Sequence, residues 1–257
     1  MRSESPAGPP VIFAHRGLNR VAPENTLPAF HAAADAGVEW METDVDLSAD
    51  GVPVIMHDST LHRTTNLQGR LNAHSWEELR RADAGSWFSP EYAGTRLPTL
   101  TQLVDLVNQR GLNLNLELKP HESGKAGTVS LIETVIAELG RLHPERGVIV
   151  SSFSPLTLYH FHERAPLYPL GMLWEDATLG PDWKSVLEMV GATHAHIEDR
   201  SATPEVVGDL REAGFGVNVW TVNDPQRAQD LFRWGCTGVF SDVADVLQAQ
   251  DPTRQRG

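Results

Sequence analysis

The sequence predicts an α/β chain, a TIM-type (β/α)8 barrel with a small insertion after its second strand. Three observations carry this prediction. Short apolar runs alternate with helix-patterned stretches almost to the end of the chain, the mark of repeated βα units and a parallel sheet with helices outside it. The length, 257 residues, is typical of one closed barrel. It would also fit two small domains, but no linker, low-complexity segment or repeat divides the chain. Polar doublets collect where the apolar runs end, and strand ends are where βα loops build barrel sites.

The apolar runs are Val11–Ala14, Val38–Val45, Val54–Met56, Leu112–Leu118, Gly147–Ser151, Leu167–Leu173, Thr193–Ile197, Phe215–Val222 and Thr237–Phe240. Between them, Thr26 to Ala36 has helical spacing, with Pro28 in its first turn and Gly37 as a stop. Val129 to Leu142, Pro204 to Ala213 and Pro225 to Trp234 follow the same pattern, the last two closing on Gly214 and Gly235. Ser59 to Pro98 breaks the rhythm, since a structureless loop of that size would be unusual. It carries a capping box at Ser75-Trp76-Glu77-Glu78, so a short helix is expected inside it, with Trp87 and Phe88 available for burial. We read residues 59–98 as an insertion packed over the barrel mouth, within one barrel domain spanning 1–257 whose core covers about 10–248.

A net charge of −13 argues against nucleic acid or an anionic membrane surface as the main partner. The opening ten residues have no signal-type apolar core, and no run approaches the ~18 apolar residues of a membrane span. The only cysteine is Cys236, which forbids an intrachain disulfide and agrees with a reducing, cytoplasmic setting. An anionic substrate would need local help from a metal or from placed Arg and Lys.

That help is present at the strand ends. Residues two apart on a strand share a face, so Glu42 sits with Asp44, and Glu117 with Lys119. Three carboxylates form an all-oxygen set suited to one divalent cation, Mg²⁺ or Ca²⁺ and secondarily Mn²⁺. Arg16 and Lys119 could hold an anionic oxygen, and His15 and His57 could exchange protons with attacking and leaving oxygens. Phosphodiester cleavage uses all of these parts. Each piece alone has a plainer reading, a solvated strand end or a structural ion pair, and it is their recurrence at consecutive strand ends that argues for a site.

The motifs are His15-Arg16-Gly17, Pro23-Glu24-Asn25-Thr26, Glu42-Thr43-Asp44, Asp50-Gly51 leading to His57-Asp58, and Glu117-Leu118-Lys119. In these the chain resembles the glycerophosphodiester phosphodiesterases, most closely their bacterial cytoplasmic members. The similarity continues through Arg63-Thr64-Thr65, Asp83-Ala84-Gly85-Ser86-Trp87, Ser151-Ser152-Phe153, Val219 to Asn223 and Ser241-Asp242. The resemblance implies a barrel in which Glu42, Asp44 and Glu117 bind the divalent ion and His15 and His57 form the acid/base pair. It further implies that Lys119 and Arg16 hold the phosphate and that Trp220 lines the glycerol side. The implied reaction releases glycerol 3-phosphate and an alcohol from a small-molecule diester such as glycerophosphocholine or glycerophosphoethanolamine.

Other polar residues have plainer expectations. Glu24, Asp58, His196 and Asp242 are candidates for orienting the site residues. Asn25 reads as a helix cap. His194 and His196 share one strand face, with His196 a candidate pocket residue, while His160 and His162 read as surface residues. Trp174 is a pocket candidate or core packing. Two competing functions stand beside the main one: a phospholipase-type phosphodiesterase on intact lipid, disfavoured by the lack of a basic amphipathic stretch, and a non-catalytic phosphodiester-binding barrel. Oligomeric state, native metal and headgroup preference are not legible.

Overall fold

The computed structural model describes residues 9–121 and 124–250. The reading of the opening segment falls largely on residues 1–8, outside that description. Eight strands run parallel: β1 (Val11–His15), β2 (Trp40–Leu47), β4 (Asn113–Leu118), β5 (Val148–Ser152), β6 (Leu170–Trp174), β7 (His194–Glu198), β8 (Gly216–Trp220) and β9 (Gly238–Ser241). β1 pairs with both β2 and β9, which closes the sheet into a barrel. Outside it lie α1 (Leu27–Asp35), α3 (Leu100–Arg110), α4 (Gly124–Leu139), α5 (Pro155–Arg164), α6 (Trp183–Val190), α7 (Pro204–Glu212), α8 (Pro225–Trp234) and α9 (Ala244–Ala249).

Strand alternation divides each barrel strand between two environments. On β4, Leu114, Leu116 and Leu118 face outward and are buried in one cluster with Leu103 and Val107 of α3 and Leu131 and Val135 of α4. Burying each such side chain stabilises by roughly 1.5–3 kcal/mol. The residues between them, Asn115 and Glu117, are free to serve the barrel interior. The helices begin as their sequences dictate. The hydroxyls of Ser154 and Thr203 and the carboxylate of Asp224 accept from backbone N–H groups, and each cap is followed by Pro.

The run Val54–Met56 is not a barrel strand. β3 (Pro53–Ile55) pairs antiparallel with the upper end of β2, Val45 opposite Ile55 and Leu47 opposite Pro53. The intervening turn holds Gly51 at a φ of 82°, in the left-handed region that favours glycine. A three-residue apolar run carries no periodicity that tells parallel from antiparallel pairing, so the reversal was not readable. Its consequence is functional: β3 brings the chain back down, the Met56 N–H donates to the Asp44 carbonyl at 3.1 Å, and His57 follows directly.

The insertion contains the expected short helix α2 (Trp76–Leu79), with the Ser75 N–H donating to the Glu78 carboxylate at 2.9 Å. Its core is aliphatic: Leu61, Leu71, Leu79 and Leu97 pack with Val54 and Met56. Trp87 and Phe88 do not fill that core. Trp87 is exposed, and its neighbour stacks edge-on against Tyr92, whose hydroxyl donates to the Val21 carbonyl at 2.8 Å. Among the described residues no helix is long and apolar enough to cross a membrane.

Candidate active site

The strand register assembles the site in tiers at the C-terminal mouth. His15 of β1 lies opposite Glu42 of β2, which lies opposite Asn115 of β4. One step higher, Asp44 lies opposite Glu117, and Glu117 opposite Ser151 of β5. One carboxylate oxygen from each of Glu42, Asp44 and Glu117 lies within 4.8 Å of the others, and all three residues are buried. Lys119 donates to Glu117 Oε1 at 2.8 Å and sits 3.4 Å from Asp44 Oδ1.

Each histidine is held at one nitrogen by a carboxylate. His15 Nδ1 is 2.7 Å from Asp242 Oδ1 and His57 Nδ1 is 2.6 Å from Asp58 Oδ1, which leaves Nε2 of each ring as the nitrogen open to the pocket. Asp242 is fixed in turn by the side-chain amides of Asn19 at 2.6 Å and Asn223 at 2.8 Å. Arg63, from the insertion, donates to both Asp58 and Glu24, and Glu24 accepts from Arg16 at 2.8 Å. Arg16 closes the circuit, its backbone N–H on Glu42 at 3.0 Å and its Nε 3.7 Å from Asp44. Arg16 adopts a φ of 57°, and Gly17 beside it has its Cα against the α1 backbone, where a Cβ would come within 2.8 Å of Ala29.

The electrostatics follow from crowding like charges away from water. Burial, then the charges of Asp44 and Glu117, push the Glu42 carboxyl well above its ordinary value. Burial and then Asp44 push Glu117 up to about 7, although Lys119 pulls the other way. Asp44 is buried too, but Lys119, His57 and Arg16 outweigh that and hold it below the carboxylate range. Burial, with Lys119 and Arg16 behind it, lowers His57 against the opposing pull of Asp44 and Asp58. A divalent cation fits this set. Asp44 Oδ1 and Asn115 Oδ1 are buried and accept no hydrogen bond, and the donors are hard oxygens with more negative charge than Lys119 and Arg16 neutralise.

The sequence-predicted residues His15, Arg16, Glu42, His57, Glu117 and Trp220 line one cavity of about 70 Å³, with Asp44 and Lys119 hydrogen-bonded or ion-paired at its wall. Glu24, Asp58 and Asp242 lie one contact behind it. His196 does not line this cavity. It is fully buried in the barrel interior, its Nε2 3.1 Å from Asn218 Nδ2 and its ring against Phe240, and only its carbonyl approaches the site, accepting from Trp220 Nε1 at 3.3 Å. Asn25 is not the helix cap, which is Thr26. It is buried, donates to Asp44 at 2.9 Å and accepts from Thr43 at 2.7 Å. His162 is half-buried, with its Nδ1 buried and without a hydrogen-bond partner and its ring against Gly191. Asn115 lines the cavity without having been singled out, and Phe153, marked only within the Ser151-Ser152-Phe153 similarity, lines it too. Alternation would have found Asn115, two residues before Glu117; no local pattern gave Phe153 a pocket role.

Fold and site together define a class, a TIM barrel whose C-terminal mouth joins a buried carboxylate triad that could hold a cation to two carboxylate-held histidines. The comparisons narrow it. The model of the glycerophosphoryl diester phosphodiesterase family matches residues 15–246. A glycerophosphodiester phosphodiesterase of Caldanaerobacter subterraneus subsp. tengcongensis is 32% identical, over 92% of this chain and 96% of that one. One from Bacillus altitudinis is 34% identical, over 91% and 95%. The structure of an Oleispira antarctica phosphodiesterase in complex with the product sn-glycerol-3-phosphate superposes with a TM-score of 0.89 at 34% identity, covering 93% of this chain and 96% of that one. The chain therefore belongs to the glycerophosphoryl diester phosphodiesterase family, a class of hydrolases.

Proposed function

We propose that the protein hydrolyses small glycerophosphodiesters, glycerophosphocholine and glycerophosphoethanolamine among them, to glycerol 3-phosphate and an alcohol. The observation that carries this reading is the buried Glu42–Asp44–Glu117 triad with a carboxylate-held histidine on either side. Glu42, Asp44 and Glu117 would hold one divalent cation, Mg²⁺ or Ca²⁺ and secondarily Mn²⁺. When bound it supplies positive charge against the phosphoryl oxygens and relieves the repulsion within the triad.

The chain's own groups do the rest. Lys119 and Arg16 hold the non-bridging phosphate oxygens, and Trp220 packs along the glycerol carbons. One imidazole Nε2 takes the proton of the attacking oxygen as its bond to phosphorus forms. The other imidazolium gives a proton to the alkoxide released when the opposite P–O bond breaks. Asp242 and Asp58 fix the tautomers and stabilise each ring when it is charged. The attacking oxygen is water, or the neighbouring glycerol hydroxyl, whose proximity would make a cyclic phosphate first. A glycerol-free diester, hydrolysed only in the first case, separates the two. We place the reaction in the cytoplasm, a setting in which the lone Cys236 stays reduced.

Glycerol 3-phosphate release from both diesters is the test, with wild type and His15→Ala, with and without a chelator. Release that requires both His15 and a divalent ion is expected. Release that persists without either one would sink the reading, as would none across Mg²⁺, Ca²⁺ and Mn²⁺.

A further inference from the structure

Three cavities meet at Phe153, whose ring lines the catalytic one, a second of about 270 Å³ and a third of about 430 Å³. Phe153 follows β5 and is 37% exposed, its ring edge-on to Trp220 at 5.6 Å and below Lys119 Nζ at 5.7 Å. The second and third cavities therefore adjoin the reaction centre at one aromatic residue. Their chemistry differs. The second branch runs past Lys119 and His121, with His121 Nδ1 3.2 Å from Asp46. The third holds no basic residue. Its lining includes Met172, Leu173 and Trp174 of β6 and Val186 of α6, and two exposed carboxylates, Glu175 and Asp182. Leu173 lines both this branch and the catalytic cavity, so the two are neighbours.

Neither carboxylate is neutralised within the described structure. The basic residues close by in sequence are engaged elsewhere, Lys184 with Glu188 at 3.9 Å and Arg200 with Glu198 at 3.5 Å. We propose that this third branch, between β6 and the start of α6, is the subsite for the alcohol headgroup, and that it selects a quaternary ammonium. The proposal rests on the phosphodiesterase reading of the adjoining site. A quaternary ammonium presents weakly hydrated methyl groups that suit an apolar floor of Met172 and Leu173. Its charge is attracted by the Trp174 ring and by Glu175 and Asp182. A neutral polyol headgroup of similar size fits the volume but gains nothing from the carboxylates, and an anionic one is repelled by them. Trp174 thereby acquires a role as the wall of a specificity groove.

The test is the ratio of kcat/KM for glycerophosphocholine to kcat/KM for glycerophosphoglycerol, measured in the metal-loaded enzyme. Wild type favours the cationic diester. The double variant Glu175→Gln/Asp182→Asn lowers kcat/KM for glycerophosphocholine about 5–10-fold, mostly through KM. Glycerophosphoglycerol hydrolysis stays within about twofold of wild type, which also shows that the variant is folded. Equal effects on both substrates, or no effect on either, would overturn the subsite while leaving the phosphodiesterase reading intact. If wild type hydrolyses neither diester, the phosphodiesterase reading falls, and the subsite with it.

Discussion

At the C-terminal mouth of the barrel, three carboxylates are buried against one another with Lys119 and Arg16 beside them. At the N-terminal end, His194 and Trp40 are half-buried and line, with buried Phe13 and Cys236, a wide cavity of about 700 Å³, with His196 fully buried one step further along β7. Burial pushes His194 down to about 4, with Arg211 adding to the effect, and burial then His194 push His196 well below its ordinary value. Burial likewise raises the Cys236 thiol to about 12. The wide end thus favours the neutral forms of His194, His196 and Cys236, as desolvation without a compensating opposite charge does. The narrow end keeps Asp44 charged by surrounding it with cations, while Glu42 and Glu117 are pushed above their ordinary values beside it. Cavity size is a poor guide here: the larger space is at the end away from the carboxylate triad, and the residues proposed for catalysis line the smaller one.

The largest expected effect tests that division directly. Asp44→Asn should lower kcat by about 10³-fold or more, roughly 4 kcal/mol of barrier, and abolish the rise in Tm that added divalent cation gives the wild type. His194→Gln, a polar change at the other end, should leave kcat within about twofold. Comparable losses from both variants in glycerol 3-phosphate release would show that catalysis does not reside at one mouth.

A smaller effect separates the ends by the sign of their pH dependence. In chelated protein, Glu117 at about 7 stands above its ordinary 4.5. A raised carboxyl favours the folded state fully below about 4.5 and loses that contribution as pH rises through about 7. His194, lowered from 6.5 to about 4, does the reverse: its contribution is complete above about 6.5 and is lost as pH falls through about 4. Each is on the order of 1–3 kcal/mol, the histidine discounted because its ring lines an open cavity. Urea unfolding of chelated wild type, Glu117→Gln and His194→Gln at pH 4.5, 6 and 7.5 reads both. Glu117→Gln should remove the acid-side gain and His194→Gln the acid-side loss. Parallel pH profiles in all three would mean that neither group carries the linkage.

The same division marks what the sequence could disclose. Glu42 with Asp44 and Glu117 with Lys119 are pairs two residues apart, and strand alternation alone puts each pair on one face. The tiers between strands were not available, because register is a property of pairing. Asn25 is a neighbour of Asp44 only once α1 is docked, 19 residues away, and Asn19 reaches Asp242 across 223. His194 and His196 do share an inward face as alternation predicts, with ring centroids 6.1 Å apart. Alternation says nothing about depth, so it could not tell a residue at the rim from one in the barrel's middle.

Arg63 should give the smallest effect and probes how the insertion is coupled to the narrow end. Its guanidinium joins Asp58 to Glu24, hence His57 to Arg16, and those bonds hold Asp58 down at about 2 against its burial. Arg63→Ala leaves Asp58 less neutralised, so its pull on the His57 proton strengthens and the His57 pKa rises. The acid limb of the pH–rate profile should move upward, with kcat falling about 5–10-fold and KM nearly unchanged. Arg63→Lys, which keeps the charge but not the fork, should recover part of kcat and shift the limb back. A change confined to KM would instead make Arg63 a substrate contact, and the insertion a lid on the pocket with no part in setting the histidine.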